Sequence, residues 1–147
     1  MENQLLTKLA LLLLLSDKPS SERATTSRAE SREQQLEALI AWVEHHLDQP
    51  IDLTLLESKA GCSRRTLQYH FRSSYGCTPM QWLRLRRLDR AMARLQQPEP
   101  GDSISRVAER CGYTNLAAFS RDFVAQHNRR PSEVLRSSRI EQSKTRN

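Results

Sequence analysis

Residues 103–123, SISRVAERCGYTNLAAFSRDF, decide the fold. Ser103 stands where an N-cap belongs, ahead of Ile104, Val107, Ala108 and Cys111 at helical spacing, and Gly112 supplies the turn that ends such a helix. Phe119 and Phe123 then fall four residues apart, so a new helix starts near Leu116. The stretch reads as helix, tight glycine turn, helix, which is a helix-turn-helix. The pattern also occurs earlier, in residues 52–71, DLTLLESKAGCSRRTLQYHF. There Asp52 caps, Leu53, Leu56 and Ala60 point inward, Gly61 turns, Ser63 caps again, and Leu67 and Phe71 repeat the apolar pair. Gly61, Leu67, Phe71, Gly76 and Pro79 match Gly112, Phe119, Phe123, Asn128 and Pro131, with one residue inserted after the second turn. Asn is the next-best residue for a left-handed cap. Such an internal repeat is far more specific than one copy.

Between the copies, Thr78-Pro79 reads as an N-cap followed by proline at the first helical position, opening a helix to about Gln97. At 1.5 Å per residue it is a rod of roughly 28 Å. Trp82, Leu85, Leu88, Ala91, Met92 and Leu95 form its apolar stripe, while Arg84, Arg86, Arg87, Arg90 and Arg94 make the rest strongly basic. Pro98, Pro100 and Gly101 break it. Ahead of the first copy, Leu36, Leu39, Ile40, Val43 and Leu47 mark a helix that Pro50 stops, and Pro131 opens a short final one.

The expected fold is all-α, with two helix-turn-helix subdomains joined by a long linker helix and about seven helices in total. Its boundaries are a leucine-rich helix at 1–17, a flexible linker at 18–33, a folded region at 34–139 and a tail at 140–147. The first helix-turn-helix lies at about 53–76, the linker helix at about 79–97, and the second helix-turn-helix at about 103–128. The linker assignment rests on the polar, Ser- and Thr-rich run from Pro19 to Arg32, which lacks apolar periodicity.

A chain of 147 residues, 37% hydrophobic and 27% charged, suits one small helical domain with a tail, and only four glycines and six prolines argue against a turn-rich β architecture. The net charge of +6 is unevenly spread: residues 1–60 carry six basic against ten acidic side chains, and residues 61–147 seventeen against seven. The second part, at +10, seeks a polyanion, and phosphate binding there would be salt-sensitive.

Cys62, Cys77 and Cys111 are odd in number and too widely spaced for a disulfide framework or a zinc knuckle, so they read as reduced thiols. The adjacent His45 and His46 cannot share a helical face. No metal or cofactor is expected, nor any catalysis, because no phosphate-cradling loop and no nucleophile with a base is present. Seven apolar residues in a row, Leu9 to Leu15, are too few for a membrane span, which needs about 20. Glu2 beside Lys8, and the missing small-x-small pattern, speak against a signal peptide. A cytoplasmic protein is expected.

Several segments together resemble the DNA-binding domain of the AraC/XylS family. They are 50–53 PIDL, 60–63 AGCS, 67–71 LQYHF, 76–79 GCTP, 87–95 RLDRAMARL, 103–112 SISRVAERCG, 119–123 FSRDF and 131–136 PSEVLR. The resemblance covers about residues 35–138. It implies two subdomains on a rigid helix, each placing its second helix in the major groove of successive turns of double-stranded DNA. The base-reading positions it implies are Arg65, Gln68 and Tyr69 in the first unit and Ala117, Ser120 and Arg121 in the second. Arg64, Arg72, Arg84, Arg87, Asn115 and Arg129 are expected on phosphates. Glu57 departs from the family's usual small residue where the first two helices cross. The second recognition helix is poor in polar groups, so that half is expected to act chiefly as a phosphate and shape clamp.

The resemblance implies a transcription regulator, an activator, with RNA polymerase as a partner. The competing class is a sequence-independent architectural or RNA-binding protein on the same basic surface. Leu5, Leu6, Leu9, Leu12 and Leu13, at helical spacing, need a partner. They read either as the remnant of an upstream effector-binding and dimerising domain or as a short helix that makes a homodimer. No residue pattern names an effector or a promoter.

Overall fold

A computed structural model of the chain describes residues 23–146. These form seven helices, numbered here α1 (Arg23–His45), α2 (Leu53–Ala60), α3 (Arg64–Tyr75), α4 (Pro79–Gln96), α5 (Ile104–Arg110), α6 (Leu116–His127) and α7 (Pro131–Thr145). The leucine-rich start lies outside the described residues. From Leu36 onward the described chain is one compact unit, and the described residues before it, 23–35, are the first part of α1.

Five of the helices, α2 to α6, begin at a residue whose side chain caps them. Asp52 accepts the Leu55 N–H, Ser63 that of Thr66, and Ser103 that of Arg106. On α4 the cap is reciprocal: Thr78 accepts the Gln81 N–H, and the Gln81 side chain accepts the Thr78 N–H in return. Gly61, at φ 62°, ends α2 in the left-handed region, a conformation that costs an L side chain roughly 1–2 kcal/mol.

Two separate apolar cores occupy the compact unit. The first gathers Leu39 and Val43 of α1, Leu56 of α2, Leu67 and Phe71 of α3, and Trp82 and Leu83 of α4. Leu88, Ala91 and Leu95 of α4, Val107 and Ala108 of α5, Phe119 and Phe123 of α6, and Val134 of α7 make up the second. Each fully buried Leu or Phe contributes about 1.5–3 kcal/mol. Helix α4 is therefore common to both modules, its first half in one core and its second half in the other.

The expected linker is corrected over its second part, because α1 starts at Arg23 rather than after residue 33. Ala29, Glu30, Arg32, Glu33 and Gln34 are good helix formers and no glycine or proline interrupts them. Once the apolar turns of α1 have nucleated, extension into solvent costs little. Residues 28–35 of this extension are exposed, which is why apolar periodicity could not reveal it. The expected tail is also helical. Helix α7 runs to Thr145, and its outer half is bonded to the loop after α4, with Arg139 donating to the Asp102 carbonyl (2.6 Å) and Gln142 to that of Pro98 (3.2 Å).

Candidate nucleic-acid interface

Helix α3 buries Leu67 and Phe71 and turns the opposite side to solvent. Arg65, Tyr69 and Arg72 are exposed and Gln68 half-buried, at i, i+3, i+4 and i+7 along one face. Tyr69 is 70% exposed, far more than a tyrosine serving a core. Among the described residues Arg65 and Arg72 have no ion pair, so both guanidiniums are available to an anion. These side chains and Ser73 border one shallow depression.

Helix α6 repeats the geometry with different chemistry. Phe119 and Phe123 are buried, and Ala117, Ser120 and Arg121 lie on the outward side beside the exposed Leu116 and Val124. The Arg121 side chain is 77% exposed, with Asp122 at 3.8 Å. Sequence spacing thus brings each predicted base-reading trio together on the second helix of its module.

The predicted phosphate contacts divide. Arg72 and Arg129 are exposed. Arg64 donates to Glu57 at 3.1 Å, so the acid that departs from the family pattern holds the arginine of the next helix. Arg84 lies 3.8 Å from Asp122. Asn115 is the N-cap of α6: its side-chain oxygen accepts the Ala118 N–H at 2.9 Å.

Arg87 differs from the others. Its Nε donates to the Leu47 carbonyl (3.0 Å) and its Nη2 to that of Gln49 (2.7 Å), so two of its donors are already bonded to backbone within the protein. Burial lowers its pKa, against the opposing influence of Tyr113 and Cys111. The basic face of α4 is similarly occupied elsewhere: Arg86 pairs with Glu44 and Asp89, and Arg94 with Glu99 and Asp102.

Asp102, only 4% exposed, escaped sequence reading although it sits in a turn close to arginines. Tyr113 was missed as well. Burial, and then the negative charge of Asp122, to which its hydroxyl donates at 3.4 Å, push its pKa up to about 12. No group of three or more His, Cys, Asp or Glu among the described residues is arranged to hold a metal, and none of their helices is long and apolar enough to cross a membrane.

The chain matches a family model described as a helix-turn-helix domain over residues 56–137. It is 35% identical over 103 residues to the regulatory protein SoxS of Escherichia coli K12, covering 70% of this chain and 94% of SoxS. With the HTH-type transcriptional activator RhaS of Escherichia coli O1:K1 it shares 31% identity over 124 residues, 84% of this chain and 42% of RhaS. Its fold resembles the DNA-binding domain of AdpA, solved in complex with a target DNA, with a TM-score of 0.68 and 31% identity over 74% of this chain and 96% of that one. An AraC-type regulator from Chromobacterium violaceum matches with a TM-score of 0.66 and 25% identity, covering 74% and 96% of the two chains. Two helix-turn-helix modules sharing one helix, with outward-facing second helices, and these relatives together place the chain in the AraC/XylS family of DNA-binding transcription regulators.

Proposed function

We propose that the protein is a sequence-specific, double-stranded DNA-binding activator that inserts α3 and α6 into successive major grooves. One observation carries this reading: on the second helix of each module, residues at i, i+3 and i+4 face outward, opposite the buried pair. Arg65 is suited to guanine O6 and N7, and Gln68 to adenine N6 and N7, both as bidentate contacts. Tyr69 reaches a thymine methyl or a phosphate. On α6, Arg121 and Ser120 supply the polar readout and Ala117 offers a methyl to thymine. That second face, flanked by Leu116 and Val124, depends more on shape than the first. Arg72 and Arg129 neutralise phosphates, with Arg64 and Arg84 contributing when they release their acids.

The relatives' names support activation, and so RNA polymerase as a partner in the cytoplasm. The leucines at residues 5–13 support a homodimer, which would raise affinity for repeated sites through effective concentration. Sedimentation of the full chain beside one starting at Arg23 tests this; identical monomers at high micromolar concentration would remove the dimer.

Base readout is tested by selecting bound sequences from random DNA, then measuring Arg65→Ala and Arg121→Ala on the selected site. Each is expected to lose about 1–3 kcal/mol and to relax preference at one base pair. A variant that keeps both affinity and preference loses its assignment. Failure of the wild-type protein to enrich any sequence would favour an architectural protein instead.

A further inference from the structure

The two modules have separate cores on one shared helix, α4, and their surfaces also touch beside it. Three parts of the chain meet at one such point. Arg87 lies on α4 between Leu83 of the first core and Leu88 of the second. Its guanidinium grips the carbonyls of Leu47 and Gln49, in the loop after α1, whose Leu47 side chain belongs to the first core.

From the second module comes Gly112, the turn between α5 and α6, at φ 82°. A Cβ there would stand 2.4 Å from the Leu47 oxygen and 2.7 and 2.8 Å from Nε and Cζ of Arg87. The second module's turn is therefore seated directly on the Arg87–Leu47 bond, in a place open only to a residue without a side chain. Beside this contact lies a cleft of about 710 Å³, lined by Pro50 and Ile51 on one side and by Glu109, Tyr113 and Leu116 on the other. Space, rather than packing, separates the modules there. The planar guanidinium holds the two carbonyls with donors fixed in one rigid fork, whereas a lysine ammonium carries rotatable donors on a flexible stem and sets no such geometry.

We infer that Arg87 is a positioning residue for DNA recognition. By bonding the Leu47–Gln49 loop of the first module to α4, with the Gly112 turn of the second seated against that bond, it fixes the spacing between the two DNA subsites, while touching no DNA itself. The inference rests on the two-groove reading proposed above.

The test uses the full chain and its selected site, with one or two base pairs inserted or removed between the subsites. Each inserted pair shifts the second subsite by about 3.4 Å and rotates it by roughly 35°. Wild-type protein is expected to lose about tenfold in affinity for each step away from the optimum. In R87A that discrimination falls to about twofold, with base preference within each subsite and the salt slope of binding unchanged. An unchanged spacing profile overturns the inference. So does a uniform loss at every spacing with a shallower salt slope, the signature of a lost phosphate contact. Should R87A fail to fold by circular dichroism, R87M keeps an apolar stem of similar reach, removes every donor, and carries the same comparison. A wild-type protein indifferent to both sequence and spacing would refute the two-groove reading itself, and the inference with it.

Discussion

Asn128 closes α6 at φ 53°, the one non-glycine residue with positive φ among those described. Its N–H still bonds back to Val124, so the cap keeps its hydrogen bond at the expense of backbone strain. Asn128→Ala is expected to lower stability by about 1 kcal/mol, and Asn128→Gly to leave it level or slightly higher, as read by thermal denaturation. Asp102 poses a charge problem at the same scale. Burial raises its pKa, but hydrogen bonds from Arg94 and the Glu99 N–H, and the charges of Arg94 and Arg110, outweigh that and leave it lowered. A carboxyl lowered on folding stabilises the fold above its unfolded pKa, and that contribution is lost as pH falls through the folded value. Asp102→Asn should therefore cost about 2 kcal/mol at neutral pH. The gap to wild type should narrow in acid, measured by urea unfolding at both ends of the range.

At the scale of elements, α7 is anchored by side chains that reach the loop ending α4. Ending the chain after Arg136 removes two such bonds, worth about 1 kcal/mol each, so a loss of roughly 2 kcal/mol is expected by chemical denaturation. Base preference at the α3 subsite should stay intact. Helix starts were legible wherever a cap and an apolar pair lie within a few residues in sequence, and the start of α1, in a polar run, was not. Partners such as Arg87 and Leu47, 40 residues apart, leave no local signature. Leu83 was overlooked for another reason. A single stripe through Trp82, Leu85 and Leu88 assumes one buried face, yet α4 passes from one core to the other and its buried side turns as it goes, leaving Leu85 only half-buried and Leu83 fully so. The base-reading trios came from the family resemblance, and nothing local separated Arg87, bonded to carbonyls, from Arg72, open to solvent.

At the scale of the molecule, a chain ending at Gly101 would keep the first core and strip Leu88, Ala91 and Leu95 of their partners. Poor DNA binding and a shortened footprint are expected from it, along with uptake of an apolar dye by the bared half of α4. Protection of the full-length site by this shortened chain would contradict the two-module arrangement. The three thiols give the intact protein a chemical clock. Cys62 and Cys77, in the first module, are partly exposed, whereas Cys111, 2% exposed and with its pKa raised by burial, sits in the second. Alkylation needs a thiolate that the reagent can reach. Cys62 and Cys77 should be modified first, and Cys111 only as fast as its surroundings breathe open. Its labelling rate thus reports how often the second module opens, and bound DNA should slow that rate in proportion to how firmly it grips the second half of the protein.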